Sequence, residues 1–165
     1  MMGARAFVAG AVLIGLSACG FHPLYGDNGA LSADMSSIYV EPIEDRTGYE
    51  LRNTLIDLLQ SDGRSEGKAY HLKLTLDTTS QGIALQNDAT ITRYNDRLVV
   101  DYVLTDGDQK TVKTGKVSGL SSYNVVSSPY ATQIAQQDAD KRAAEDIAVR
   151  IRLELGVYFT NAGKR

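Results

Sequence analysis

The chain has a single cysteine, Cys19, and it follows Leu16-Ser17-Ala18 and an uncharged run from Ala6 to Leu16. In that setting a thiol is a site for lipid chemistry. A diacylglyceryl group is placed on the sulfur, the chain is cut before the cysteine, and the freed amine is acylated. The flanking residues fit a secretory leader: Arg5 and the terminal amine supply positive charge, the apolar run follows, and small residues precede the cut. The run is too short for a transmembrane helix, which needs about 20 residues. A free cysteine often acts as a small core hydrophobe, but this one stands in a leader rather than in a core.

The other reactive residue types form no catalytic pattern. His22 lies beside the proposed lipid anchor, and His71 alternates with leucines that belong to a core, so it is expected on the outer face of a strand. With Cys19 consumed by lipid, no thiol is left as a ligand, and no histidine pair has metal-binding spacing. Ser121, Ser122, Ser127 and Ser128 read as turn and cap residues, and no glycine-rich phosphate fingerprint occurs. The expectation is a protein that is not an enzyme, with no cofactor beyond the covalent diacylglycerol and N-acyl lipid at Cys19. What remains is surface charge. Arg93 and Arg97 lie in one extended segment, and Lys110, Lys113 and Lys116 stud the next. Such residues protect a sheet edge from aggregation, or their charge holds phosphate or carboxylate groups, Arg forks being suited to bidentate contact. A wide apolar sheet face with a basic rim would suit an amphiphile bearing phosphates.

The elements that would carry these groups follow from the pattern. Removing 18 leader residues, among them one base, Arg5, leaves 147 of 165 residues and takes the formal charge from −3 to −4. That length fits one domain with a real core. Its mild acidity draws it neither to nucleic acid nor to anionic lipid. With the cysteine lipidated, no disulfide forms within the chain. We read residues 1–18 as signal peptide, 19–35 as lipidated tether, 36–160 as one domain and 161–165 as a short polar tail.

Within the domain, Ser36 to Ile43 reads as a strand, with Pro42 at its end or at a sheet edge. Thr47 and Glu50 fit a capping box for a helix whose stripe is Leu51, Leu55, Leu58 and Leu59, closed by a left-handed Gly63. Tyr70, Leu72, Leu74 and Leu76 alternate with polar residues, as a half-buried strand does. Ala89 to Asp106 is a second extended segment, with Val100, Tyr102 and Leu104 on one side. Asp106-Gly107-Asp108 turns it into a polar strand from Thr111 to Tyr123. Ser128 and Pro129 open a helix from Tyr130 to about Leu155, ended by Gly156. Its apolar stripe is Ile134, Ala144, Ile147, Ala148, Ile151 and Leu155. The predicted fold is α+β: a two-layer sandwich with a mostly antiparallel four-stranded sheet and two helices on one face, in the order β-α-β-β-β-α.

Cys19-Gly20-Phe21-His22-Pro23-Leu24-Tyr25-Gly26 resembles the start of the lipopolysaccharide-assembly lipoprotein family LptE. The likeness continues through Asp45-Arg46, Leu51-Arg52-Asn53, Leu55, Thr92-Arg93, Ser122-Tyr123 and the alanine-rich last helix. The resemblance implies a domain that partners and plugs the LptD β-barrel and assists assembly of lipopolysaccharide into the outer leaflet. It also implies a lipid-anchored, periplasm-facing position at the outer membrane. Gly20, where an Asp would favour inner-membrane retention in similar lipoproteins, permits that position. The family's lipopolysaccharide contacts are basic residues on the sheet and its loops, and Arg93 and Lys116 best match them. Two other readings remain at this point. One is a periplasm-facing lipoprotein that binds a soluble or cell-wall ligand without a barrel partner. The other is a lipid-anchored hydrolase with a convergent site.

Overall fold

A computed structural model describes residues 29–85 and 91–162. Their element order is α1 (Gly29–Ser36), β1 (Ile38–Val40), α2 (Asp45–Leu59), β2 (Tyr70–Leu85), β3 (Ile91–Asp106), β4 (Thr111–Asn124) and α3 (Pro129–Ala162). The strands form one sheet in the order β1-β2-β3-β4. β1 pairs with β2 in parallel, through Ile38↔Tyr70 to Val40↔Leu72, and the other two pairings are antiparallel. The short β1 and the crossover through α2 produce the parallel pair, since adjacent parallel strands need a long connection. The α+β class and the mostly antiparallel four-stranded sheet agree with the sequence pattern.

The core is the product of two periods. Leu72, Leu74, Leu98, Val100, Tyr102, Leu104 and Val117 point from the sheet to the helices. They meet Leu51, Leu55 and Leu59 of α2 and Ala144, Ile147, Ala148, Ile151, Leu155 and Phe159 of α3. Alternation in strands and a 3.6-residue period in helices place both sets on facing surfaces.

The element ends depart from expectation in five places, the first being β1, expected over Ser36 to Ile43 but formed only by Ile38–Val40 because Ser36 still belongs to α1. Residues 29–35, read as tether, belong to α1 and the fold: Met35 is buried, and its Cε lies 3.0 Å from where a Cβ on Gly156 would stand. The two helices of the predicted order therefore become three. Gly156 does not end α3, which runs through it for 34 residues, about 51 Å at 1.5 Å each; this glycine is kept bare for α1 to seat against it. α2 begins at Asp45 with Glu44 as N-cap, not at Thr47, because Ile43 folds over Gly48, where a Cβ would lie 2.6 Å from Ile43 Cγ2. That contact sits where a hydrophobic staple does. Gln60 (φ 56°), rather than Gly63, takes the left-handed cap. The Ser61 amide donates to Ile56 O at 3.0 Å, and the Ser61 hydroxyl to Ile38 O at 2.7 Å, which ties the cap to β1.

The β3–β4 turn follows the Asp-Gly-Asp signal, with the left-handed position held by Gln109 (φ 60°). The Asp106 carboxylate accepts from the amides of Asp108 (3.1 Å) and Lys110 (2.9 Å) and closes the turn. α3 opens as its sequence requires: Pro129 is the first helical residue, and the Ala131 amide donates to Ser128 Oγ at 3.3 Å.

Candidate functional site: the helix-free face of the sheet

Among the described residues, the helices that contact the core pack on one side of the sheet and leave its other side uncovered. The ladder registers fix its residues. β2 contributes His71, Lys73, Thr75, Asp77, Thr79 and Gln81; β3 contributes Arg93, Asn95, Arg97, Val99 and Asp101; β4 contributes Lys116, Ser118, Leu120 and Ser122. This surface is mostly polar and charged, with Leu120 standing exposed among the polar side chains. The apolar face expected to greet an amphiphile is the one the helices cover, because two helices cannot fold onto a sheet without taking its leucine row. His71 stands on the open side as expected, edge-on to Tyr39 with ring centroids 5.5 Å apart.

Arg93 and Lys116 both lie on this open face and both are exposed, but the sheet does not bring them together. Lys116 is opposite Asp101, and Arg93 is opposite Asn124. Eight positions of β3 therefore separate their rungs, about 26 Å at 3.3 Å per residue, so no single phosphate meets both. Lys116 Nζ is paired with Asp101 Oδ1 at 3.2 Å. Arg97 stands midway between them, opposite Thr79 and Leu120, and extends the basic line into a row. Lys113 leaves that row: it is opposite Leu104, on the helix side. There it lines a groove of about 420 Å³ with Glu154, Val157, Tyr158, Asn161 and Ala162. Strand parity separates Lys113 from Lys116, because residues three apart on a strand face opposite ways. Lys110 belongs to the turn. Cys19 lies outside the described residues.

A second polar group sits under α3. Asp96 is fully buried on the helix-facing row of β3. It accepts from the Ser80 hydroxyl of β2 and from Gln136 Nε2 of α3, the latter at 3.1 Å. The neighbouring Ser121, not a turn residue but a buried strand residue, donates to Asp140 Oδ1 at 2.6 Å. Burial raises the Asp140 carboxyl above its ordinary range, and the charge of Asp96 adds to this against the Ser121 hydrogen bond. Tyr123 is raised by burial and then by Asp96, and its ring stacks on Tyr94 at 5.7 Å. The pattern around β3 carries a signal for this group: Asp96 has the same parity as Leu98 and Val100, and a carboxylate in a core row needs partners. Among the described residues no three His, Cys, Asp or Glu side chains gather as a metal site, and no helix is long and apolar enough to cross a membrane.

The class defined here is a two-layer α+β domain whose exposed sheet face carries a spaced row of cations. The model of the family LptE, Lipopolysaccharide-assembly, matches residues 35–155, and the chain belongs to that family. A crystal structure from Caulobacter crescentus, of a protein described as a lipoprotein, is 32% identical, with a TM-score of 0.65 over 82% of this chain and 98% of that one. The rare lipoprotein B of Shewanella oneidensis shares the fold at 12% identity, TM-score 0.57, over 76% of this chain and 96% of its own. An uncharacterised protein of Rickettsia prowazekii is 29% identical over 145 residues, 87% of this chain and 90% of that one.

Proposed function

We propose that this lipopolysaccharide-assembly protein is lipidated at Cys19 and held at the outer membrane facing the periplasm. There it partners and plugs an LptD β-barrel and assists delivery of lipopolysaccharide to the outer leaflet. It does so without catalysis: it binds and positions, with no cofactor apart from its own acyl chains. The observation that carries this reading is the family match over residues 35–155 on a chain that also has Leu16-Ser17-Ala18-Cys19 after an apolar run. The open sheet face supports it in physical terms. A plug must present polar surface to a wet barrel lumen, and Lys73, Arg93, Arg97 and Lys116 provide cations for phosphate groups along that surface. The spacing of Arg93, Arg97 and Lys116 suits several anionic groups in succession better than one.

Co-purification in mild detergent tests the partnership. LptD is expected to come down with the protein, and depletion of the protein is expected to reduce surface lipopolysaccharide. A chain that purifies without any barrel protein, with surface lipid unchanged on depletion, overturns it.

A further inference from the structure

The two ends of α3 are held to the fold in different ways. Its second part is seated by apolar packing: Ala143, Ala144, Ile147, Ala148, Ile151, Leu155 and Phe159 are all buried. Its first ten residues, 129–138, include no buried residue, and the first buried side chain is that of Ala139. The apolar residues of this part, Tyr130 and Ile134, point to solvent with 73% and 44% of their surface exposed. The hydrogen bonds of Ser128 and Thr132 hold only the local entry of the helix, through Ala131 and Val126. Its side-chain hydrogen bonds to the sheet are Gln136 to Asp96 and, at its boundary beside the buried Ala139, Asp140 to Ser121; no side chain of α3 before Ala139 is buried.

We propose that residues 129–138 form a releasable arm, which leaves the sheet as a unit when the Gln136–Asp96 and Asp140–Ser121 bonds open while residues 143–162 stay seated. Segments with few buried apolar contacts open far below the global unfolding free energy, and two side-chain bonds are a much weaker attachment than seven buried side chains. Release uncovers the stacked pair Tyr94–Tyr123 and the Ser80–Asp96 contact, which lie under this part of the helix. The clasp is also sensitive to pH. Asp140 faces Asp96 from β3 and Ser121 and Tyr123 from β4, with Tyr94 behind Tyr123 and Ser80 bonded to Asp96. Ionising both carboxylates sets like charges against each other across the interface, so the arm is tighter when Asp140 is protonated. The arm is independent of the barrel partnership and stands or falls without it.

Hydrogen exchange on the intact domain, expressed as protection factors, tests the arm. Amides 133–138 are expected to be at least roughly 100-fold less protected than amides 147–159. Asp140→Asn is expected to raise protection of 133–138 by roughly 3- to 10-fold and to remove the fall in that protection as pH rises above the ordinary carboxyl value of 3.8. Gln136→Ala is expected to lower protection of 133–138. Equal protection of the two parts overturns the arm. So does Gln136→Ala leaving 133–138 as protected as in the parent, or Asp140→Asn leaving the arm's rate and its pH dependence as they were.

Discussion

Tyr102 and Gly115 face each other across the β3–β4 ladder, and the tyrosine ring occupies the space that a side chain at 115 would need. Tyr102 is only 1% exposed, and its hydroxyl donates to Glu154 Oε2 on α3. The bare glycine thus lets one aromatic residue join β3, β4 and α3. Burial first, and the hydrogen bond to Glu154 second, hold the phenol far above its ordinary pKa, so it stays a donor. Gly115→Ala is expected to destabilise the domain by about 1–3 kcal/mol, because the ring it meets is pinned at both ends and cannot yield. Tyr102→Phe, which leaves the packing in place, is expected to cost about 1–3 kcal/mol through the unpaired Glu154. Urea midpoints of both variants check this, and a Gly115→Ala variant as stable as the parent would show that the ring moves aside.

Ile151 is fully buried where α3 crosses the sheet. Ile151→Ala is expected to cost about 2–5 kcal/mol, the transfer loss plus the cavity left behind. Ile134→Ala, on the same helix but exposed, is expected to stay within about 0.5 kcal/mol. Thermal melts of the two variants separate the seated part of the helix from the part that overhangs.

The contrast between those two isoleucines marks how far the sequence can be read. The inner rows of the sheet are legible, because Leu72 to Leu74 and Leu98 to Leu104 alternate without interruption. The stripe Ile147, Ile151 and Leu155 is legible for the same reason at helical spacing. Period alone assigns Ile134 to that stripe, but the helix there has run past the apolar sheet and meets Asp96 instead. Gly156 reads as a stop because glycine favours helix ends; its reason is a neighbour, Met35, from a segment whose Gly, Asp and Asn content resembles a tether. The cation row is half legible. Parity assigns Arg93 and Arg97 to one face, and the same parity removes Lys113, but the distance of about 26 Å between the Arg93 and Lys116 rungs follows only from the register between strands.

The distance between Arg93 and Lys116 leads to a prediction about binding. Groups this far apart share no ligand atom, so their effects should add. Arg93→Asp and Lys116→Asp are each expected to weaken lipopolysaccharide binding by about tenfold, the worth of one charge-assisted hydrogen bond, and the double variant by about the product. The melting temperature should barely change, because the Lys116–Asp101 pair is exposed, with Lys116 at 64%, and such pairs contribute at most about 1 kcal/mol. Titration of each variant with lipopolysaccharide, beside a thermal melt, tests both parts. A melting temperature that falls in step with affinity would make these residues structural.

The thiol of Cys19 is expected to carry the lipid. Labelled fatty acid should enter the parent chain and be absent from Cys19→Ala, with the loss seen as a mass difference of the intact protein. The domain begins ten residues further on, at Gly29, so the variant should fold with an unchanged thermal melt while losing its place at the membrane. Each methylene of a buried acyl chain contributes about 0.8 kcal/mol, and one chain alone holds only marginally, so removing the acylated thiol removes the anchor. An acylated Cys19→Ala chain would move the anchor to another residue.

Asp140 gives the domain a pH dependence whose sign can be worked out. Burial first, and Asp96 after it, raise this carboxyl in the folded state. In the unfolded chain it titrates near the ordinary value of 3.8. At pH below that value the group is protonated in both states and costs nothing. As pH rises through the folded pKa, the unfolded chain has already released its proton, and the fold must accept a charge it disfavours, so stability falls across that window. Asp140→Asn keeps an oxygen for the Ser121 hydroxyl and removes the charge. It is expected to raise the urea midpoint at pH 7, with the gain shrinking toward zero as the pH is lowered to about 3.5. Urea titrations of parent and variant at pH 3.5, 5 and 7 decide it. A gain that is the same at every pH would mean that the substituted amide improves packing rather than relieving a charge.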